Sequence, residues 1–218
     1  MSAQSADDDL KNKRSWPRAA NTSKPPEAIV RIVDDDASIL RSLELLLAGA
    51  AFQTEAFIRC EDFLRAYDAS KAGCLLLDLR LPADMDGLDL LAELAKRGNS
   101  IPVILISAYV DVSTTVQAMK LGAFDVLEKP IDTDALLHRV HDAVAFDAQC
   151  RERAQRLSQL SPRQREVLRL ILKGKPTKNI ARDLGISPKT VQKHRIHVIA
   201  QMGANNMVDL MQQLTSKR

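Results

Sequence analysis

The sequence has few cysteines, and none of them lies at a paired spacing. Cys60, Cys74 and Cys150 are the three cysteines among 218 residues, and none belongs to a C-x-x-C motif. This spacing predicts neither a disulfide framework nor a zinc site. Three unpaired thiols fit a reducing compartment, so we expect a cytoplasmic protein.

Long apolar segments are also missing. No apolar run reaches the ~18 residues of a transmembrane helix, and residues 1–26 contain no apolar stretch like the centre of a secretory signal. We therefore expect no membrane partner and no secretion signal. Residues 1–26 are polar and have no periodic apolar face, so the sequence predicts a disordered tail there.

The charge of the chain is unevenly distributed. Residues 28–148 contain 11 Lys and Arg against 20 Asp and Glu, a net charge of −9, whereas residues 149–218 contain 15 against 4, a net charge of +11. An acidic half followed by a basic half predicts two domains with different partners. The basic half suits an anionic polymer such as nucleic acid; a chance bias of surface charge is the alternative.

Strand-like and helix-like segments alternate between residues 29 and 144. Leu40, Leu43, Leu46 and Leu47, for example, follow the i, i+3, i+4 spacing of one helix face. Five such β/α units predict an α/β domain with a doubly wound, five-stranded parallel sheet and helices on both faces. The predicted strands are 29–33, 53–57, 74–78, 103–106 and 125–128, and the predicted helices are 37–48, 60–68, 87–96, 112–121 and one from 133 onward.

A second, all-α domain is predicted to follow. The last helix of the α/β domain continues past Ala145 as a linker with a basic face. Ser161 and Pro162 then begin a new helix, and Gln164 completes the pattern of a capping box. The predicted helices of this domain are 162–173, 177–184, 188–202 and 206–215. The predicted organisation is a tail at 1–26, an α/β domain at 27–145, a helical linker at 146–160 and a four-helix domain at 161–218.

Complementary polar side chains follow four of the predicted strands. Asp34 and Asp35 follow the first strand, Asp78 ends the third, Ser107 follows the fourth and Lys129 follows the fifth. Because the carboxyl ends of parallel strands meet at one edge of a sheet, we expect these side chains in one pocket. Carboxylate oxygens suit Mg²⁺, and a lysine pairs with phosphate oxygens. The pattern favours transfer of a phosphoryl group to an aspartate, with the Ser107 hydroxyl reporting its presence.

The alternative is that these polar residues are helix caps and surface charges. Aspartate is common immediately before a helix, and we assign this role to Asp36 and Asp132. Capping alone does not explain why all four strand ends carry complementary chemistry.

Five motifs in this half resemble the receiver domain of two-component response regulators. The resemblance covers roughly residues 28–148. It implies a flavodoxin-like fold, a sensor histidine kinase as partner, and a domain that catalyses its own phosphorylation and hydrolysis but is not an enzyme on other substrates. The motifs are VDDD at 33–36, LLLDLRLP at 75–82, DGLDLL at 86–91, LISA at 105–108 and EKP at 128–130.

The same resemblance implies a role for each polar residue. Asp78 matches the phosphoacceptor, Ser107 the switch hydroxyl and Lys129 the phosphate-binding lysine. The implied Mg²⁺ ligands are Asp34, Asp35, Asp78 and the backbone carbonyl of Arg80.

Two positions depart from the receiver pattern. Val126, three residues before Lys129, stands where the family usually has Tyr or Phe, so the readout is expected to depend more on Ser107 and the loop 108–113. The loop between Pro82 and Gly87 is one residue longer than the commonest form. Neither change removes a ligand, so phosphorylation is still expected.

The basic C-terminal part predicts a DNA-binding helix. Lys189, Lys193 and Arg195 lie near the start of its longest helix, as suits insertion in a major groove. A basic bundle that binds protein is the alternative. The resemblance to the LuxR/FixJ-type helix-turn-helix rests on LSPRQREVLRLILKG at 160–174, NIARDLGIS at 179–187 and TVQKHR at 190–195.

This second resemblance implies double-stranded promoter DNA as a partner. His197 and Gln201 depart from residues that are often Asn or basic in the family, and Glu166 is expected to pair with basic neighbours. The residues that match base-edge contacts are Gln192, Lys193 and Ile196, and those that match phosphate contacts are Lys178, Lys189, Thr190, His194 and Arg195.

Together the two resemblances predict a transcription regulator of the FixJ/NarL type. Phosphorylation of Asp78 is expected to promote a homodimer that binds promoter DNA, with RNA polymerase as a further candidate partner. A haloacid-dehalogenase-type phosphatase is one alternative, but it leaves Asp78 and the basic domain without a role. The other is a DNA binder that acts independently of phosphorylation, which Val126 keeps open.

Overall fold

The computed structural model describes residues 28–82, 84–109 and 111–215. The predicted disordered tail therefore lies outside the described residues. Within them, five parallel strands form one sheet in the order β2-β1-β3-β4-β5, which confirms the doubly wound fold. The strands are β1 (Ile29–Val33), β2 (Gln53–Phe57), β3 (Gly73–Asp78), β4 (Val103–Ser107) and β5 (Asp125–Glu128).

The helices agree with the predicted segments to within a few residues. Five belong to the α/β part: α1 (Ala37–Gly49), α2 (Cys60–Ala66), α3 (Gly87–Lys96), α4 (Val112–Leu121) and α5 (Thr133–Ser158). The C-terminal part contains α6 (Pro162–Leu172), α7 (Thr177–Leu184), α8 (Pro188–Met202) and α9 (Met207–Thr215). No helix in these described ranges is long and apolar enough to cross a membrane.

Two apolar layers cover the two faces of the sheet. Leu75 and Leu77 of β3 pack with residues of α2 and α3, whereas Leu76 of the same strand packs with residues of α1 and α5. Every residue of β1, β3 and β4 is buried, as expected for parallel strands with helices on both faces. Each buried Leu contributes about 1.5–3 kcal/mol. This sandwich fixes the strand ends that carry the polar residues.

One charged residue lies inside the apolar layers. Arg31 is fully buried in β1; its Nε is 3.3 Å from Glu55 Oε2, and its guanidinium lies 5.1 Å from the centre of the Tyr67 ring. Tyr67 is extended (φ −66°, ψ 117°) and donates a hydrogen bond to Asn99 Oδ1. The helix predicted at 60–68 therefore ends at Ala66, because Tyr67 turns away to pack on Arg31.

Helix α5 is continuous across the predicted junction between the two parts. It spans 26 residues, which confirms the predicted extension past Ala145. Near its middle, Arg151 donates hydrogen bonds to the carbonyl oxygens of Ser70 and Lys71. Near its end, Leu157 packs into the apolar cluster of the C-terminal part. One rigid element thus contacts both parts, while the predicted domain boundaries stay a prediction.

The C-terminal helices begin where the sequence indicates. Ser161 caps α6, and its side chain and that of Gln164 form the predicted capping box. Ser187 caps α8, and Gly185 adopts the left-handed conformation (φ +63°) that ends α7. The capped ends and the short turn place α8 across α6 and α7. Val191 and Val198 lie on the buried face of α8.

Candidate functional site

The predicted polar residues meet at the carboxyl edge of the sheet. Lys129 Nζ lies 2.7 Å from Asp78 Oδ1 and 3.1 Å from Asp34 Oδ2. Lys129 and Asp34 directly follow β5 and β1, and Asp78 is the last residue of β3. The order of the parallel strands thus joins groups that are 51 and 95 residues apart in the chain.

Backbone groups orient the two carboxylates. Asp34 Oδ1 accepts a 2.9 Å hydrogen bond from the N–H of Asp36, and Asp78 Oδ2 accepts one of 2.9 Å from the N–H of Arg80. In each carboxylate, therefore, one oxygen accepts a hydrogen bond from a backbone N–H and the other accepts one from the Lys129 ammonium. Both are almost fully buried, with 2% of Asp34 and 6% of Asp78 exposed.

Burial and pairing shift the titration of two of these groups. Burial raises the pKa of Asp34 above its ordinary value, although hydrogen bonds from Asp36 and Lys129 oppose the shift. Burial acts to lower the pKa of Lys129, but hydrogen bonds to Asp78 and Asp34 outweigh it, so that this pKa is raised. Lys129 is consequently a cation at neutral pH, held between two carboxylates.

Ser107 lies at the same edge but bonds within its own turn. Its Oγ donates a 2.8 Å hydrogen bond to the carbonyl of Tyr109 and accepts one of 3.2 Å from the N–H of Tyr109. The Ser107 carbonyl accepts a 2.7 Å bond from the N–H of Lys129. Ser107 is 1% exposed, so a new partner for its hydroxyl must come from inside the pocket.

The carboxylate oxygens of the pocket are of the type that binds Mg²⁺, but they surround the Lys129 ammonium and not a common metal position. Carboxylate oxygens are the ligands that Mg²⁺ prefers. Among the described residues, however, no three His, Cys, Asp or Glu side chains are grouped closely enough to hold a metal ion. The Lys129 ammonium lies between Asp34 and Asp78, and Asp35 is exposed. A divalent cation must therefore compete with Lys129 for these oxygens.

Two other aspartates are caps, as the sequence predicts. Asp36 Oδ1 accepts a 2.7 Å hydrogen bond from the N–H of Ser38, and hydrogen bonds from Ser38 lower the pKa of Asp36. Asp132 Oδ1 accepts a 2.8 Å hydrogen bond from the N–H of Ala135. These contacts begin α1 and α5 next to the pocket.

Gly87 is a further residue of the pocket, to which the sequence analysis gave no role. A Cβ at this position would lie 2.5 Å from the carbonyl oxygen of Asp78 and 2.9 Å from Leu79 Cα. Asp86 caps α3 immediately before it, in a capping box with Asp89. The Asp-Gly pair before a helical segment was the available signal, since only glycine permits this approach.

Val126 lies beside the pocket on the α3 side of the sheet. It pairs with Leu105 in the β4–β5 register and is half-buried against the apolar layer that contains Leu105. No aromatic ring stands at this point of β5. Tyr109, two residues beyond β4, is 64% exposed.

The predicted DNA-contacting residues form an exposed face on α8. Lys189, Gln192, Lys193 and Ile196 are all exposed and follow the i, i+3, i+4, i+7 spacing of one helix face. Ile196, the apolar member of this face, is 58% exposed. Lys178 is exposed at the start of α7.

Of the three other predicted contact residues, Arg195 links two helices. Arg195 is half-buried, and its Nη1 donates a 3.2 Å hydrogen bond to Thr177 Oγ1. Thr190 Oγ1 lies 2.8 Å from Ser187 Oγ at the start of α8, and His194 is half-buried. Arg195 therefore fixes α7 against α8, in addition to any contact with phosphate.

Glu166 pairs as predicted. Its Oε2 lies 2.6 Å from Arg163 Nη1, and another nitrogen of Arg163 donates to the carbonyl of Leu184. The pair joins the start of α6 to the end of α7.

Two family models match this chain. Residues 30–141 match the response regulator receiver domain, and residues 158–214 match the bacterial regulatory proteins of the luxR family. The first match contains every residue of the acidic pocket, which is formed by Asp34, Asp35, Asp78, Ser107 and Lys129. The second contains α6, α7 and α8.

Individual relatives span most of the chain. The transcriptional regulatory protein FixJ of Bradyrhizobium diazoefficiens is 34% identical over 84% of this chain and 92% of its own. The transcriptional regulatory protein TdiR of Thauera aromatica is 38% identical over 84% and 83%. The solved structure of the response regulator StyR is 33% identical, covers 88% of this chain and 100% of its own, and superposes with a TM-score of 0.56.

Proposed function

Because this chain belongs to the response regulators that join a receiver domain to a LuxR-type DNA-binding domain, we propose that a sensor histidine kinase switches it by phosphorylating Asp78. The observation that carries the proposal is the position of Lys129 Nζ between Asp78 and Asp34, 2.7 and 3.1 Å from their oxygens. A cation beside a buried carboxylate is suited to receiving a phosphoryl group there.

The transfer makes one bond and breaks one. A carboxylate oxygen of Asp78 attacks phosphorus, the bond from phosphorus to the kinase histidine nitrogen breaks, and that nitrogen keeps the electron pair. Lys129 is protonated and pairs with the phosphoryl oxygens as they arrive. It must loosen its bond to Asp34 or Asp78 to do so.

Asp34, Asp35, Asp78 and the backbone carbonyl of Arg80 would hold Mg²⁺, which supplies positive charge to the transferring phosphoryl group. The raised pKa of Asp34 reflects its burial, and a buried carboxylate gains most when a cation binds nearby. Gly87 lets the start of α3 lie against the backbone of Asp78 and Leu79, the segment that carries the phosphoacceptor.

The output is binding to double-stranded promoter DNA through α8. Its exposed face would place Gln192, Lys193 and Ile196 at base edges, where sequence is read. Phosphate contacts would come from Lys178, Lys189 and the half-buried residues of α8. We propose that phosphorylation promotes a homodimer, because two linked domains bind paired sites more strongly than one. RNA polymerase is then a candidate partner at the promoter, and the chain is not an enzyme on other substrates.

Light scattering tests the phosphorylation step. Beryllofluoride mimics the phosphoryl group, so with Mg²⁺ it should shift wild-type protein from monomer to dimer. Asp78→Ala should show no shift in mass, because beryllofluoride then has no carboxylate to bind. An equal shift in Asp78→Ala would overturn the role of Asp78.

Val126 favours one second candidate function. With no ring at this position of β5, the receiver could serve only to dimerise a DNA-binding protein that acts without phosphorylation. A dimer of unchanged mass with and without beryllofluoride, binding DNA equally in both conditions, would favour this candidate.

A further inference from the structure

We propose that the Tyr109 ring reports the phosphorylation state of Asp78, in the place of the aromatic residue that is missing at Val126. This inference rests on the proposed phosphorylation of Asp78. It assigns a positioning role to a residue of the β4–α4 turn that contacts neither carboxylate of the pocket through its side chain.

The first step is the hydrogen bonding of Ser107. A hydroxyl has one hydrogen to donate, and Ser107 Oγ now donates it to the carbonyl oxygen of Tyr109 at 2.8 Å. To donate to a phosphoryl oxygen on Asp78, Ser107 must release that carbonyl. The Tyr109 peptide then loses a partner on one side, and the 3.2 Å bond from its N–H to the same oxygen shifts with the hydroxyl.

The second step is the freedom of the Tyr109 side chain. Tyr109 is 64% exposed, so little apolar packing holds its ring in the resting structure. Burial of apolar surface is favourable, so the ring gains free energy from an inward position once the turn rearranges. A change in one backbone turn can therefore move a large side chain.

The third step is the face of the sheet on which Val126 lies. Val126 is paired with Leu105, and Glu128 with Ser107. Because side chains alternate along a strand, Ser107 and Leu105 share a face with Val126. A ring that follows Ser107 inward would meet the half-buried Val126, whose side chain is too short to occupy the same volume.

The fourth step is the surface that the ring would change. Helix α4 follows the turn directly and exposes Val112, Val116 and Met119, which are 81%, 45% and 51% exposed. These three follow the i, i+4, i+7 spacing of one helix face. Tyr109 precedes this apolar row by three residues in the chain, so we expect a movement of its ring to alter the edge of the row in response to Ser107.

Fluorine NMR on the full chain tests the proposal. The sequence contains two tyrosines, so biosynthetic 3-fluorotyrosine gives two resonances, which Tyr67→Phe assigns. Tyr67 is the internal control, because its hydroxyl is bonded to Asn99 Oδ1 at 2.9 Å, away from the carboxyl edge of the sheet. Bound beryllofluoride contributes its own fluorine resonance in the same spectrum.

With Mg²⁺ and beryllofluoride, we expect the Tyr109 resonance to shift and the Tyr67 resonance to stay. The Tyr109 resonance should also respond less to exchange of H₂O for D₂O, because the ring has left solvent. A bound beryllofluoride signal with an unmoved Tyr109 resonance would overturn the inference and leave the phosphoacceptor role of Asp78 intact. The absence of any bound beryllofluoride signal would overturn both.

Two substitutions separate the ring from its hydroxyl. Tyr109→Ala should bind beryllofluoride, as its bound fluorine resonance will show. It should lose the monomer-to-dimer shift that light scattering detects when beryllofluoride is added to the wild type. Tyr109→Phe should keep that shift, since it keeps the ring. If Tyr109→Ala dimerises with beryllofluoride as fully as the wild type, the Tyr109 ring does not couple phosphorylation to dimerisation.

Discussion

The buried carboxylate of Asp147 accepts a 2.9 Å hydrogen bond from the N–H of Gly73, the first residue of β3. The same oxygen lies 2.6 Å from Arg151 Nε. Asp147 is 1% exposed and belongs to the part of α5 beyond the end of the sheet. This contact fastens α5 to the receiver at the edge opposite the acidic pocket, before α5 continues to the C-terminal part.

Removing this carboxylate should destabilise the protein. Asp147→Ala would leave the Gly73 N–H and the Arg151 Nε without their acceptor, at a cost of about 1–3 kcal/mol. Urea unfolding measures the loss. Glu152→Ala is the matched control, because Glu152 pairs with Arg156 in the same helix but is exposed, and such pairs contribute at most about 0.5 kcal/mol. Equal losses for the two variants would contradict the clamp.

Ala51 is strained and can be relieved. Its φ is +62°, a left-handed conformation that costs an L-residue about 1–2 kcal/mol. Ala51→Gly should therefore stabilise the protein by about 1 kcal/mol, read as a higher urea midpoint. Ala48→Gly, three residues earlier in α1, should do the opposite and cost about 0.5–1 kcal/mol. A loss of stability in both variants would contradict the strain at Ala51.

The ionised carboxyl group of Asp34 should lower the free energy of unfolding at neutral pH. Burial raises its pKa, so folding disfavours its ionised form. Asp34→Asn should raise Tm at neutral pH. The gain is present above the raised pKa and should shrink as pH falls through it, because the wild-type carboxyl then takes up its proton. Thermal unfolding of both proteins from neutral pH down to about pH 4 checks the sign.

Asp36 provides the control of opposite sign. Hydrogen bonds from Ser38 lower its pKa, so the fold favours its ionised form. Asp36→Asn should give no gain at neutral pH, and any loss should disappear as pH falls through the lowered pKa. A gain in Tm for Asp36→Asn equal to that for Asp34→Asn would point to net charge, not burial.

The two kinds of basic residue on α8 should differ in their effect. Lys193→Ala should weaken binding to duplex DNA and relax its sequence preference, because a base-edge contact is lost, without lowering Tm, because Lys193 is exposed. Arg195→Ala should weaken binding and also cost about 1 kcal/mol of stability, because its guanidinium bonds Thr177. Lys96→Ala, on the receiver helix α3, should change neither quantity. Unchanged DNA binding in Lys193→Ala would contradict the proposed interface.

The sequence by itself determined the order and type of the elements. Each strand and helix has a local signature, such as the apolar run of β4 or the capping box of Ser161 and Gln164, which depends on neighbours a few residues away. The convergence of Asp34, Asp78 and Lys129 was also predictable, because parallel strands place their carboxyl ends at one edge.

Only the tertiary structure decided which groups touch. The ammonium of Lys129 between two carboxylates, the Ser107 hydroxyl turned to Tyr109, and the approach of Gly87 to Asp78 depend on distances between separate elements. A sequence pattern shows which face of an element is apolar, but not which atom of another element will meet it. Those contacts follow from close packing of side chains across the sheet, in which a displacement of one ångström exchanges one hydrogen-bond partner for another.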